Sequence, residues 1–452
     1  MKPLLLIDFG STYTKVTSID AETGHLYGTA QSFTTVEEDI SIGLENALKE
    51  LKALTGITEF SDTLACSSAA GGLRMIACGL VPSLTAEAAK RAALGAGAKV
   101  IKTFAYEMTE EDEEEIERLK PDIALLCGGT DGGNSACCIH NAGVLARVKA
   151  KFPVVVACNR SAIKKCVSIL EEAGKETVTC ENVMPQFGQL NILPTQKAIR
   201  DLFLKRIVSA KGLSKAQSLI SDIIMPTPAA VMEALTLLSS FTGELMAVDL
   251  GGATTDIYSI TEGLPTKAGT VLRGLPEPYA KRTVEGDIGM RYSAFGITEA
   301  VGNERVARLA NVSLDTLNAW ITTLHVHPGV LARTDEEKRM DFALATMAVE
   351  TGLIRHSGTI EQVFTPMGVA YQQTGKDLTR VTKLVLTGGA LVRMQKAEEI
   401  AKTAMATAQC PESLMPRTAQ PVLDKNYILS AVGLMAKKYP EAAKAILGKE
   451  LT

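Results

Sequence analysis

The chain has 452 residues, is 46% hydrophobic, and carries 47 Lys and Arg against 51 Asp and Glu, a net charge of −4. That length allows roughly two to four domains with sizeable cores, and the near-neutral balance offers no basic stripe to track a nucleic-acid backbone. Asp8 interrupts the apolar run Leu4-Leu5-Leu6-Ile7, so this start is not read as an export signal, and no segment approaches the ~20 apolar residues of a membrane span. The expectation is a soluble, cytoplasmic protein with no nucleic-acid or membrane partner.

The first predicted element is a hairpin. Leu5-Leu6-Ile7-Asp8-Phe9-Gly10-Ser11-Thr12-Tyr13-Thr14-Lys15-Val16 is an apolar strand ending in Asp, a Gly-bearing turn with hydroxyl residues, and a returning strand, the turn being too short for a crossover helix. Exposed N–H groups at Gly10 and the hydroxyls of Ser11 and Thr12 suit a phosphate oxygen. Lys15 on the returning strand adds a cation, and Tyr13 opens that strand.

From about Val81 to Cys180 the pattern changes to short apolar strands (99–103, 122–127, 154–158 and 177–180) alternating with helices (85–96, 110–119, 134–149 and 161–172). This predicts a parallel sheet covered on both faces. The run Glu110-Glu111-Asp112-Glu113-Glu114-Glu115 opens one of these helices, where acidic side chains favour the dipole. Cys66, Cys127 and Cys158 each end a predicted strand and precede a polar loop. Gly128, Gly129, Thr130, Asp131, Asn134, Asn159 and Arg160 form a candidate second site at the sheet edge, for a partner or a small polar ligand. The alternative is a tight strand-to-helix turn with Asn134 capping the helix. The nine cysteines include Cys137-Cys138 in tandem but no Cys-x-x-Cys pair, and their apolar contexts mark them as reduced, buried small hydrophobes. The five histidines show no ligand spacing, so no protein-held zinc or iron is expected.

The opening pattern returns at Met246-Ala247-Val248-Asp249-Leu250-Gly251-Gly252-Ala253-Thr254-Thr255-Asp256-Ile257, implying two related lobes. Gly251, Gly252, Thr254 and Thr255 form the second phosphate turn. Asp8 and Asp249 are candidates to orient a hydrated Mg²⁺, which keeps most of its waters and takes one or two carboxylates. Asp256 sits where Lys15 sits in the first copy, and Asp8, Asp249 and Asp256 are the candidate catalytic carboxylates. A helix-rich stretch follows over 314–360, then a strand at 383–387 and a closing helix around 428–437.

Two such hairpins resemble the actin, Hsp70 and sugar-kinase superfamily of ATPases. Leu386-Thr387-Gly388-Gly389-Ala390 is similar to its adenosine motif, Pro226-Thr227-Pro228-Ala229-Ala230-Val231 and Ser430-Ala431-Val432-Gly433-Leu434 to its two connecting helices, and Glu285-Gly286-Asp287-Ile288 to the start of the helix after the second hairpin. Met225 stands where many members carry an acid that orients attacking water. The resemblance implies an α/β fold of two actin-like (ribonuclease H-like) lobes around a nucleotide cleft, with an inserted parallel α/β module in the first lobe. Its divisions are 1–80 for the first lobe, 81–190 for a Rossmann-like insertion, 191–240 for the rest of that lobe with the connecting helix, and 241–452 for the second lobe. ATP or ADP with Mg²⁺ would bind through Gly10, Ser11, Thr12, Tyr13, Lys15, Gly251, Gly252, Thr254, Thr255, Gly388 and Gly389.

Within that superfamily the chain resembles the glutamate-mutase accessory proteins, the MutL/GlmL family unrelated to mismatch repair. The resemblance rests on Asp8 to Lys15, Cys66-Ser67-Ser68-Ala69-Ala70-Gly71-Gly72-Leu73, Cys127-Gly128-Gly129-Thr130-Asp131-Gly132-Gly133-Asn134 and Thr283-Val284-Glu285-Gly286-Asp287. It implies an ATP-driven chaperone that reactivates an adenosylcobalamin-dependent mutase, its subunits being the partners, with a homodimer as one assembly it allows. The alternatives on the same scaffold are a small-molecule kinase and a nucleotide-binding scaffold without significant hydrolysis.

Overall fold

The computed structural model describes residues 3–10, 13–34, 40–68, 74–210, 222–366 and 368–452. Two compact units emerge: Met1–Val231 with Gly274–Pro276 and Lys437–Ala442, and Met232–Arg273 with Glu277–Ala436 and Ala443–Thr452.

In the first unit, β1 (Leu4–Phe9) and β2 (Tyr13–Ile19) form the predicted antiparallel hairpin. β3 (Leu26–Phe33) extends it on one side, while β4 (Asp62–Ser67) runs parallel to β1 and β10 (Asp222–Pro226) parallel to β4. The sheet order is β10-β4-β1-β2-β3. Period-two alternation puts Leu5, Ile7 and Phe9 in one core with Leu44, Ala47 and Leu51 of the helix Ile40–Thr55, and leaves Asp8 on the opposite face.

Between β4 and β10 the chain builds a second sheet from β5 (Arg74–Gly79), β6 (Lys99–Ala105), β7 (Ile123–Leu126), β8 (Val154–Val156) and β9 (Thr177–Thr179). All its pairings are parallel and the order is β6-β5-β7-β8-β9, a doubly wound arrangement. β7 is wholly buried, as a strand covered on both faces must be. This sheet starts before residue 81, because β5 supplies its second strand. Cys66 belongs to β4 of the other sheet, so it does not share an edge with Cys127 and Cys158. The acidic run opens the helix Glu110–Leu119 through a capping box, with Thr109 and Asp112 exchanging side-chain and backbone hydrogen bonds. All nine cysteines are free thiols, seven of them buried.

The second unit repeats the plan of the first sheet. β11 (Leu245–Leu250) and β12 (Thr255–Ile260) form the hairpin, β14 (Ala280–Glu285) extends it, and β17 (Lys383–Thr387) and β18 (Gln420–Leu423) run parallel beyond β11. The order β14-β12-β11-β17-β18 has the directions of the first sheet, strand for strand, so both units follow the ribonuclease H-like plan of an actin-like ATPase. Met246, Val248 and Ile257 share a core with Leu344 and Val349 of the helix Asp335–His356. The stretch read as helix-rich divides into Leu314–Val326 and Asp335–His356, and Ile360 lies in β15 (Thr359–Thr365). With β13 (Thr270–Arg273) and β16 (Gly368–Thr374), β15 forms a small separate sheet. The closing helix is short, Leu429–Met435, and a further helix, Pro440–Glu450, follows it. Among the described residues no helix is long and apolar enough to cross a membrane.

Candidate functional site

The first turn closes through Gly10, whose N–H donates to the carbonyls of Asp8 and Tyr13 at 3.0 Å each. A Cβ on Gly10 would lie 2.5 Å from the Tyr13 carbonyl oxygen, so the turn requires glycine. Ser11 and Thr12 lie outside the described residues. The Tyr13 ring stacks on Phe33 with centroids 4.6 Å apart. The hairpin register sets Lys15 directly opposite Asp8, and its Nζ lies 2.9 Å from Asp8 Oδ2. The other Asp8 oxygen accepts from the Thr227 hydroxyl at 2.6 Å, and Asp8 itself is 3% exposed. Burial first, then the charge of Asp8, pushes the neighbouring Cys66 thiol well up, so Cys66 stays a neutral spacer.

The second turn closes in the same way, Gly251 N–H donating to the Thr254 carbonyl at 3.0 Å. Its carbonyls face a supporting segment. Gly251 O accepts from Met290 N–H, Gly252 O from Arg291 and Tyr292 N–H, and Ala253 O from the Ser293 hydroxyl. Gly289 is needed there, because a Cβ would meet the Ala253 backbone at 2.5 Å. With the carbonyls drawn to one side, the N–H groups of Gly252, Ala253 and Thr254 have no acceptor among the described residues. Such a row of amides is suited to an anion. Thr255, predicted as a phosphate donor, is turned inward: it is fully buried and its hydroxyl donates to Ile288 O at 3.0 Å.

Asp249 and Asp256 are direct cross-strand partners. Two like charges in that position repel. The sheet resolves this through Arg282 on β14, a diagonal neighbour whose Nε donates to Asp256 Oδ1 at 2.7 Å. Asp256, predicted as an orienter of water or metal, is therefore committed to a nearly buried ion pair. Beneath it, burial and then the Asp256 charge push the Tyr258 phenol well up, keeping it neutral. Arg282 was not singled out from the sequence. The available signal was a basic residue on the strand after the second hairpin.

Gly388 follows β17 at φ +94°, a conformation that favours glycine. A Cβ there would lie 2.5 Å from both N and O of Leu250 and 2.6 Å from Asp249 Oδ1. The bare α-carbon thus lets the Gly388-Gly389 turn pack against the Asp249 strand. Just before it, Thr387 donates to Asp424 Oδ2 at 3.0 Å, and Asp424 also accepts from the N–H groups of Ile428 and Leu429, tying this turn to the start of the helix Leu429–Met435. Asp424 was missed because it lies between β18 and that helix, outside any motif.

The second candidate site reads differently in three dimensions. Asn159 is fully buried; its Nδ2 donates to Gly133 O and Asn134 O, and its Oδ1 accepts from Gly132 N–H, Ser161 N–H and the Ser161 hydroxyl. Asp131 Oδ1 accepts from Arg160 N–H and from Asn182 Nδ2, which also donates to Gly129 O. Asn134 Oδ1 accepts from Cys137 N–H at the helix start. Gly128 O accepts from the Asn159 N–H and the Cys138 thiol, and Thr130 O from Gly133 N–H. These groups largely satisfy one another, which is the tight-turn alternative. At the neighbouring end of β5 the Thr85 hydroxyl accepts from the N–H groups of Leu80 and Val81.

Residues 4–451 match the family described as MutL protein. The chain is 46% identical to Protein MutL of Clostridium tetanomorphum over 459 residues, covering 100% of this chain and 99% of that one. Among solved structures it is similar to a diol dehydratase-reactivating factor in nucleotide-free form, at 10% identity and TM-score 0.40, over 98% of this chain and 100% of the other. A nucleotide-free acetone carboxylase matches at 12% identity and TM-score 0.39, over 96% and 70%.

Proposed function

The chain belongs to the MutL protein family, and from that premise we propose that it is an ATP-dependent accessory factor that reactivates a cytoplasmic adenosylcobalamin-dependent mutase. The mutase is of the glutamate mutase or aminomutase type, and the factor opens it so that damaged cobalamin leaves and intact cofactor enters. The observation that carries this reading is the repeated turn: in each unit a glycine-closed hairpin follows a strand whose penultimate residue is an aspartate.

In this reading each turn serves ATP phosphates. Lys15, held by Asp8, supplies a fixed positive charge for phosphate oxygens, and the N–H groups of Gly252, Ala253 and Thr254 supply donors. Gly389 leaves backbone open to the adenosine, and Gly388 packs that turn onto the Asp249 strand. Asp249 and Asp8 suit a Mg²⁺ held through its water shell, Asp8 being clamped by Lys15 and Thr227. Mg²⁺ bound with the nucleotide would neutralise phosphate charge and hold the phosphates for in-line attack. Asp249 then orients the attacking water, and Asp256 contributes only through its ion pair. ATP and ADP act on the mutase only in so far as they bind the two conformations of this accessory protein with different affinity.

The test is recovery of an inactivated mutase by ATP, Mg²⁺, adenosylcobalamin and this protein, against the same mixture with Asp249→Ala. Recovery by the wild type alone supports the reading; equal recovery by both contradicts it. One observation favours a second reading, a scaffold that uses nucleotide only as a conformational ligand. Met225, where many related ATPases carry an acid, is 2% exposed and apolar. ATP-dependent sedimentation into open assemblies without phosphate release would select that reading.

A further inference from the structure

We infer that Thr227 is a positioning residue of the nucleotide site: its hydroxyl fixes the Asp8 carboxylate and links it to the first turn of the helix Thr227–Thr242. The inference rests on the reading that Asp8 lies at the phosphates. The 2.6 Å contact is a charge-assisted O–H···O⁻ bond, the shorter and stronger class. It joins residues 219 positions apart, with Asp8 almost wholly shielded from water. Lys15 holds the second oxygen at 2.9 Å, so the carboxylate has little freedom to rotate.

Thr227 is itself rigidly seated. Pro226 precedes it, ends β10, and packs so closely on Gly97 that a Cβ there would lie 2.9 Å from the proline Cβ. Pro228 follows, with its fixed φ and no N–H, at the second helical position where none is needed. The hydroxyl also lies 3.7 Å from Cys66 Sγ, so it sits between two adjacent strands and the helix start. The helix continues from Val231, the last residue of the first unit's main segment, into Met232 of the second. A displacement of Asp8 on nucleotide binding is therefore applied directly to the first turn of the helix that links the units along the chain.

Thr227→Val keeps the shape and removes the donor; Thr227→Ser keeps the donor. By calorimetry with ATP and with ADP, each with and without Mg²⁺, Thr227→Val should lose about tenfold in nucleotide affinity and Thr227→Ser should stay within about twofold of wild type. Hydrogen exchange on the wild-type protein gives a readout that needs no variant, since nucleotide should slow exchange in peptides covering 225–235. That response should vanish in Thr227→Val. Unchanged affinity and an unchanged exchange response in Thr227→Val, or no response at 225–235 in a nucleotide-binding wild type, overturns the role of Thr227 alone. No nucleotide uptake by the wild type overturns the reading beneath it as well.

Discussion

The hairpins Leu4–Ile19 and Leu245–Ile260 share strand order, register and turn closure, yet they balance charge in opposite ways. In the first, the residue opposite the aspartate is Lys15, and the pair is neutral by itself. In the second, that position holds Asp256, and the balancing cation arrives from the next strand as Arg282. The first hairpin thus keeps its lysine beside the turn. The second removes its cation to a buried diagonal position and keeps amide donors at the turn. A duplicated backbone has been given two electrostatic tasks, one cationic and one carboxylate-centred.

The largest expected effect separates those tasks. Asp249→Ala should reduce nucleotide-dependent mutase recovery at least about 100-fold, as loss of a group acting on the reacting phosphate does. Asp256→Asn should cost far less, because Asp256 is occupied by Arg282. Equal losses in steady-state phosphate release would erase the distinction between the two carboxylates.

Next in size is the charge balance. Arg282→Met leaves a nearly buried Asp256 without its guanidinium and opposite Asp249, and should destabilise the second unit by about 3 kcal/mol in urea unfolding. Adding Asp256→Asn to Arg282→Met should restore most of that stability. A double variant as unstable as the single one would show that Arg282 acts through packing, not charge.

A smaller effect is expected at the Gly388-Gly389 turn. Gly388→Ala must place a Cβ 2.5 Å from the Leu250 backbone at positive φ, and should cost about 1–3 kcal/mol of stability, along with nucleotide affinity. Gly389→Ala meets nothing within 4 Å and should be tolerated for folding. Thermal melts of the two variants check this.

A further effect, spread over a range of pH, is expected at two buried lysines. Lys175 in the first unit and Lys376 in the second each donate to two backbone carbonyls. Burial, then the charge of Lys281, pulls Lys376 down to about 7, against an ordinary 10.5. The unfolded chain then holds a proton that the folded chain lacks between those values, so stability should rise with pH across that window. Lys376→Met should flatten that part of the pH profile of denaturation midpoints.

Both hairpins and the strand Lys383–Thr387 were legible, because each is a local pattern of apolar run, acid and glycine within a dozen residues, whereas the N–H groups of Gly10 and Gly251, read as open to phosphate, are spent on closing their own turns. The buried cysteines were legible for the same reason. Long-range partners were not. Arg282 reaches Asp256 from 26 residues away, Thr227 reaches Asp8 from 219, and Asn182 closes the loop at Gly129 from 53. The register predicted from one hairpin fixes which residue stands opposite, not which side chain arrives from the next strand. The three-stranded sheet escaped notice because its strands are largely exposed and carry no buried face to impose alternation.

Calorimetric titration with ATP and Mg²⁺ of the wild type, Lys15→Met and Asp249→Ala tests the proposed nucleotide role of the two hairpins most directly. One nucleotide per chain, with each substitution weakening binding at least about tenfold, is the result expected if the cationic and the carboxylate hairpin both act on bound nucleotide. Two independent sites per chain, or binding that ignores either substitution, would contradict it.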